Sequence, residues 1–162
     1  MKTFILLLCV FTSSAYAGIC EEFEEIMKSA KTGFSSWKGS GLYGGDTMFE
    51  STYKLSSSNS CMIVGENFIC EWGEVASLAA ARKIYDNLVK TVPSCKSIFA
   101  KPGDIKTFPE KPFDPSKSSA RQLEDTMVEN YKAGVTILIS LRERIDPATP
   151  KNIYEVGLSV SR

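Results

Sequence analysis

Cysteine is the residue type with the greatest chemical potential in this chain, because five cysteines are present and histidine is absent. Without histidine the chain has no Ser-His-Asp or Cys-His nucleophilic site, no histidine-ligated zinc-hydrolase site and no imidazole acid–base catalysis. Cys20, Cys61, Cys70 and Cys95 are separated by 40, 8 and 24 residues. A structural zinc site uses close pairs such as C-x2-C, so this spacing favours disulfides over a metal. We expect no metal site and no cofactor.

The acidic residues suggest little further catalytic chemistry. A pair of carboxylates can hydrolyse glycosidic bonds, but here the acids gather at Glu21, Glu22, Glu24 and Glu25 or scatter through loops. That cluster is typical of the solvated first turns of a helix. Cysteines held in disulfides offer no thiolate nucleophile. The residue types therefore predict a protein that acts by binding and not by catalysis.

The first 17 residues have the three-part pattern of a secretory signal peptide. Lys2 supplies the positive start, residues 4–11 are apolar, and residues 15–17 form a small-x-small cleavage site, Ala-Tyr-Ala. Cleavage there makes Gly18 the first mature residue and removes Cys9. The remaining even number of cysteines in an oxidising compartment predicts two disulfides.

The mature chain, residues 18–162, is nearly neutral and long enough for one secreted or periplasmic domain with a buried core. Removal of Lys2 leaves 18 basic against 19 acidic residues, and the basic residues form no cluster. This balance argues against nucleic acid as a partner. The apolar run of the signal is too short to span a bilayer, and no later run reaches membrane length. We therefore expect no membrane span.

Residues 60–95 form the segment around which the fold is predicted to organise. Residues 61–64 and 68–72 are apolar runs on either side of a Gly-Glu-Asn turn, a pattern that predicts a β-hairpin. Apolar residues then recur every three or four positions from position 75 to position 92, which predicts an amphipathic helix that ends before Pro93. We expect the apolar stripe of this helix to pack against the sheet.

Further elements are predicted on both sides of this segment. Residues 21–37 have a helical apolar stripe. Residues 47–55 alternate as a half-buried strand after the glycine-rich connection at 39–45. Residues 135–141 and 154–160 alternate as the two strands of a closing hairpin. The sequence thus predicts a strand-rich domain with two groups of strands, each preceded by one helix.

The stretch 118–132 remains open between helix and strand. Leu123, Met127 and Tyr131 have helical spacing, whereas residues 126–131 could equally form a strand that leads into the next turn. With this stretch counted as a strand, the predicted fold is α+β in the order α-βββ-α-βββ. It has an antiparallel sheet of about six strands, with both helices packed on one face.

This element order also predicts a disulfide pairing. A meander after the first helix places Cys61 near Cys20, and the second helix carries Cys95 back toward Cys70. A helix of about 18 residues spans ~27 Å, which separates Cys20 from Cys95. We therefore favour Cys20–Cys61 with Cys70–Cys95. The alternative is Cys61–Cys70 across the hairpin, which pairs Cys20 with Cys95.

The proline-rich stretch 101–117 carries the candidate binding residues. It contains four of the seven prolines, and Phe108 and Phe113 each lie beside one of them, with Lys111 between. A proline-stiffened segment loses less conformational entropy on binding, so the two phenylalanines are predicted anchors and Lys111 a rim residue. Tyr43 in the glycine-rich connection is a further candidate. The alternative is an irregular crossover whose phenylalanines pack onto the core.

Two classes of function fit these features. The first is a protein-binding module that inhibits, neutralises or recognises another extracytoplasmic protein. The second is a small-ligand binding or transport accessory protein of the cell envelope. Exposed aromatic residues in the loops favour the first class, and an apolar cavity favours the second.

Overall fold

The computed structural model describes residues 14–95, 98–99, 104–110, 120–130, 133–145 and 151–162. The helices are α1 (Ser14–Ala30) and α2 (Leu78–Thr91), and short 3₁₀ turns occupy Ser35–Trp37 and Val92–Ser94. The strands are β1 (Lys38–Gly41), β2 (Met48–Ser51), β3 (Ser60–Val64), β4 (Asn67–Val75), β5 (Asp104–Pro109), β6 (Ala120–Asn130), β7 (Val135–Ile145) and β8 (Asn152–Ser161).

All eight strands belong to one antiparallel sheet in the order β1-β2-β3-β4-β8-β7-β6-β5. The chain runs through α-ββββ twice, and the two halves meet where β4 pairs with β8. The predicted α+β class with an antiparallel sheet, two helices and two disulfides is confirmed.

The predicted six strands and the order α-βββ-α-βββ are wrong by one strand in each half. The two additional strands, β1 and β5, are the edges of the sheet. Every residue of β1 is exposed, and so are residues 105–109 of β5. Because neither strand buries a face, neither shows the apolar alternation by which a strand is recognised in a sequence. The stretch that was open between helix and strand forms β6, which pairs with β5 and β7.

The first helix is shorter at its C-terminal end than the predicted 21–37. Gly33 has a positive φ of 59° and its N–H donates to the carbonyl of Ala30, while the N–H of Phe34 donates to the carbonyl of Ser29. These two bonds are those of a Schellman motif, in which a glycine in the left-handed conformation ends the helix. The buried Phe34 then packs in the core. Helix α1 therefore ends at Ala30, before the apolar stripe does.

The second helix starts later than predicted. Ser77 has an extended backbone and its hydroxyl accepts a hydrogen bond from the N–H of Ala80 at 3.2 Å, which is the geometry of an N-cap. Val75, the first residue of the predicted stripe, belongs instead to β4. The helix ends at Thr91, two residues before Pro93, as predicted.

One face of the sheet carries the hydrophobic core. Its central strands bury alternate residues: Phe68, Cys70, Trp72, Ile137, Ile139, Leu141, Val156, Leu158 and Val160. Phe23 and Ile26 of α1 and Tyr85 and Leu88 of α2 are buried in the same cluster. The hydroxyls of Tyr85 and Thr126 form a hydrogen bond of 2.7 Å that ties α2 to β6. Both helices therefore depend on this face of the sheet for their burial.

The favoured disulfide pairing is wrong, and the alternative is present. Cys61 and Cys70 lie directly opposite each other in the β3–β4 hairpin, with their Cα atoms 4.1 Å apart. Cys20 pairs with Cys95, and the Cα atoms of this pair are 5.3 Å apart. Helix α1 contacts the 3₁₀ turn that follows α2, so the two cysteines do not lie at opposite ends of a helix length. The register of the β3–β4 hairpin thus sets the Cys61–Cys70 pairing, which the length of the second helix did not predict.

We expect the two disulfides to stabilise the fold unequally. The Cys20–Cys95 bond closes a sequence separation of 75 residues and Cys61–Cys70 one of 9. Loop-closure entropy then gives contributions of about 4.5 and about 2.7 kcal/mol. Urea denaturation of Cys20→Ala/Cys95→Ala and of Cys61→Ala/Cys70→Ala measures both losses. A larger loss for the hairpin pair would contradict this ranking.

Burial of Tyr85 predicts a loss of stability at alkaline pH. Burial raises the pKa of Tyr85 to about 12, and the hydrogen bond with Thr126 opposes this rise. An unfolded tyrosine ionises near pH ~10, so the neutral phenol stabilises the fold below that pH, and the contribution is lost as the pH rises toward the folded pKa.

The variant Tyr85→Phe should cost about 1 kcal/mol at pH 7 because it removes one partner of a buried hydrogen bond. It should also reduce the loss of stability between pH 10 and 12, measured by urea denaturation at a series of pH values. Tyr43→Phe, at an exposed position, is the control and should keep the wild-type profile. If Tyr85→Phe and the wild type lose the same free energy of unfolding between pH 10 and 12, Tyr85 is not the group responsible for the alkaline loss.

Candidate functional site

The structure separates the candidate binding residues. Phe108 lies in β5, at one edge of the sheet, and Tyr43 lies in the turn after β1, at the other edge. Seven strand-to-strand steps of about 4.8 Å place these edges ~34 Å apart. Phe113 and Lys111 lie outside the described residues. Phe108 and Tyr43 therefore belong to two different surfaces and not to one patch.

Strand β5 is an edge strand whose six residues all pair with β6. Its register sets Phe108 opposite Asp125 and Thr107 opposite Thr126. The hydroxyls of Thr107 and Thr126 are 3.4 Å apart, and Thr126 is buried under α2, so Thr107 points to the helix side of the sheet. Side chains alternate along a strand, so Ile105 shares the helix side and Phe108 points to the opposite face.

Both apolar side chains of this edge are exposed to solvent. Ile105 is 47% exposed and Phe108 is 38% exposed. Within the described ranges no further strand pairs with β5. Pro109, the last residue of the strand, is of the kind that natural edge strands use to end pairing. The described edge thus presents one large exposed apolar side chain on each face of β5.

Ion pairs surround this edge. The ammonium of Lys106 lies 2.9 Å from a carboxylate oxygen of Glu129 on β6. The guanidinium of Arg121 bonds Glu110, just beyond β5, and its second contact, with Glu143, is at 3.6 Å. The hydrogen bond to Glu110, followed by the charge of the same group, raises the pKa of Arg121. The apolar residues of β5 therefore have a charged, solvated rim.

The opposite edge ends in a strained turn. Tyr43 and Gly44 have positive φ angles of 55° and 68°, and the N–H of Gly45 donates to the carbonyl of Leu42 at 3.3 Å. Two consecutive residues in the left-handed conformation, closed by this hydrogen bond, form a type I′ turn. The first of the two central positions of such a turn favours asparagine or glycine. Tyr43 occupies that position with a side chain that is 94% exposed. No packing contact therefore offsets its backbone strain.

A third feature is a charged depression on the helix-free face of the sheet. It has a volume of about 210 Å³ and is lined by β4, β7 and β8. Arg144 donates to Glu155 at 2.8 Å and to Glu74 at 2.7 Å. The hydrogen bond with Glu155, followed by that with Glu74, raises the pKa of Arg144. This Arg144 contact explains why Glu74 and Glu155 can lie opposite each other in the register despite their like charges.

Three depressions that described residues line are small. The two others have volumes of about 260 and about 200 Å³, and the larger is lined mainly by polar residues. Sites for drug-sized ligands enclose roughly 300–1,000 Å³ and are mostly apolar. None of these three depressions has that character. In the part of the chain that the structure describes, no group of three or more cysteine or acidic residues is arranged to hold a metal ion.

Sequence reasoning missed Ile105 as a candidate. It lies in the same proline-rich stretch as Phe108 and is the more exposed of the two. Apolar and polar residues do not alternate along this segment, and its proline and charged residues make it resemble a loop. Only the pairing with β6 identifies it as a strand.

Comparison of the chain with protein-family models, with curated proteins and with solved structures finds no significant match in any of the three. Among the described residues, no helix is both long and apolar enough to cross a membrane. The geometry of the chain itself therefore carries the functional argument.

Relief of the strain at Tyr43 should stabilise the protein. Tyr43→Asn places a residue that tolerates positive φ at this position and should raise the free energy of unfolding by ~1 kcal/mol. Thermal denaturation measures the change, and Tyr43→Ala is the control, because alanine removes the ring but keeps the backbone penalty. An equal gain in both variants would show that the exposed ring, and not the backbone, limits stability.

Proposed function

We propose that this protein is a binding protein without catalytic activity that captures an extended segment of another extracytoplasmic protein at the outer edge of β5. The observation that supports this best is the exposure of Ile105 and Phe108 on an edge strand. Exposed apolar side chains on an edge strand are typical of surfaces that bind a partner, which supports the proposal. The proposal keeps Phe108 as an anchor and adds Ile105 to it.

The chemistry of the edge suits an added strand. An extended peptide that pairs with a sheet edge gains main-chain hydrogen bonds, and its alternate side chains meet the two faces of the sheet. Ile105 and Phe108 lie on opposite faces of β5, so each face of an incoming strand would contact one large apolar side chain. The ion pairs of Lys106 and Arg121 supply the polar rim that surrounds anchors in protein interfaces.

The charge and disulfides of the chain support an extracytoplasmic place of action. Two disulfides form and persist in oxidising compartments. Together with the predicted signal peptide, they support secretion or export to the periplasm after cleavage near Ala17. A nearly neutral mature chain favours a protein partner over nucleic acid. None of the three depressions lined by described residues has the size of a site for a drug-sized ligand, so none of them supports the alternative class, a small-ligand carrier.

Lysine substitutions at the edge test this proposal, because lysine is a residue with which natural edge strands prevent pairing. The immobilised mature protein is exposed to an extracytoplasmic extract, and Ile105→Lys and Phe108→Lys are compared with the wild type. The matched control is Ile145→Lys, at an apolar side chain that is 60% exposed at the end of β7. We expect the wild type and the control to retain the same protein, and both edge variants to lose at least ~90% of it, a loss of ~1.4 kcal/mol or more.

Hydrogen exchange on the purified complex gives the second readout. The N–H groups on the outer side of β5 should exchange more slowly when the partner binds, because they then form hydrogen bonds with its backbone. Equal retention by the edge variants and the control would place the interface elsewhere. Co-purification of a small apolar molecule without a protein partner would favour the carrier function instead.

A further inference from the structure

The carboxylate of Glu22 is held in a depression with one oxygen unsatisfied. Its Oε1 accepts a hydrogen bond from the N–H of Ser56 at 2.9 Å. Its Oε2 is inaccessible to solvent and has no hydrogen-bond partner. A buried carboxylate oxygen without a partner is costly, because it has lost its hydration and gained nothing in exchange. This atom therefore indicates that a donor is missing.

The surroundings of Glu22 are fixed. The depression has a volume of about 260 Å³ and is lined by the start of α1, the loop before β3 and the last part of α2. The hydroxyl of Tyr53 donates to the main-chain carbonyl of Glu22 at 3.2 Å. Asn87 and Thr91, which α2 contributes to the lining, carry no charge. The lining itself thus offers no cation to the free oxygen.

Gly18 lines the same depression and is the predicted first residue of the mature chain. The two residues that follow Gly18 restrain its position. Ile19 packs against the core, and Cys20 is bonded to Cys95. Two Cα–Cα steps of about 3.8 Å are the longest distance that separates Gly18 from the Cys20 anchor. A new amino terminus at this residue therefore stays near the depression, although Gly18 itself is exposed.

We propose that this depression is a binding site for a primary ammonium group, and that its ligand is the α-amino group that signal-peptide cleavage creates at Gly18. Glu22 follows Gly18 by four residues, so both lie on the same side of helix α1. Before cleavage the nitrogen of Gly18 is an uncharged amide inside α1. After cleavage it carries a positive charge and up to three donors, which match the free oxygen of Glu22.

Helix electrostatics gives the pairing a further role. A positive charge at a helix N-terminus opposes the helix dipole and is unfavourable. Ion pairing with Glu22 offsets that cost. The pairing explains why one carboxylate oxygen of the half-buried Glu22 is inaccessible, whereas Glu21 and Glu25 of the same cluster are exposed. It rests on cleavage after Ala17 and is independent of any binding at β5.

A comparison of two chain starts tests the proposal. One chain begins at Gly18, confirmed by mass spectrometry of the exported protein, and the other is extended to begin at Ser14, which moves the ammonium one helical turn away. Glu22→Gln is made in both, and Glu21→Gln, at an exposed acid of the same turn, is the matched control. In the mature chain, Glu22→Gln should lower the Tm by at least ~3 °C. In the extended chain the same change should shift the Tm by less than ~1 °C.

Reactivity of the amino terminus provides a second readout that a merely structural role of Glu22 would not move. A paired ammonium is held in its protonated, unreactive form, so an acylating reagent at pH 7 should modify Gly18 at least ~3-fold more slowly in the wild type than in Glu22→Gln. Glu21→Gln should leave the rate near that of the wild type. Equal Tm losses in both chains, equal acylation rates, or an exported chain that begins at another residue would each overturn the proposal.

Discussion

Antiparallel pairing of β4 with β8 is the interaction on which the rest of the structure depends. It is the only place in the described sheet where the two α-ββββ halves share main-chain hydrogen bonds. Phe68 faces Val160 and Cys70 faces Leu158 across this junction, and all four are buried. Because each half ends in its central strand, each also leaves its first strand at an outer edge. The position of both open edges follows from this one pairing.

The junction is adjusted by a bulge at Gly73. The register between β4 and β8 shifts between Glu71 and Glu74, and Gly73 has a φ of 70°. A Cβ atom at this position would lie 2.2 Å from the side-chain nitrogen of Asn59. Only glycine therefore satisfies both the backbone conformation and the close approach. The bulge also turns Glu74 to the helix-free face, where Arg144 bonds it.

The two covalent links act on different levels of this architecture. Cys61–Cys70 joins neighbouring strands of one hairpin, whereas Cys20–Cys95 joins α1 to the turn that follows α2. The second link restrains the region around Glu22, where we propose that the amino terminus binds. In contrast, β5 pairs with β6 alone among the described strands, and its outer side is where we propose that the partner binds. Capture of an extended segment at β5 requires an edge strand that can pair with it and a rigid sheet that holds this strand in place.

Local patterns by themselves determined the elements that bury a face. The β3–β4 hairpin, the amphipathic α2 and the strands β7 and β8 were predictable, because periodic burial leaves a periodic sequence. Gly33 was also a readable signal for the end of α1, although the longer apolar stripe masked it. The predicted secretory signal and the even cysteine number likewise depend on the sequence alone.

Tertiary structure decided what has no local signature. The edge strands β1 and β5 bury no face, so their sequences resemble loops, and only their neighbours define them. The disulfide pairing depended on hairpin register and on the contact between α1 and the turn after α2. The candidate edge residue Ile105 and the unsatisfied oxygen of Glu22 are likewise visible only once distant segments are brought together. The periodicity of a sequence indicates which residues are buried. Strand pairing, disulfide pairing and the hydrogen bonds of a polar atom depend instead on which distant segment packs beside the residue.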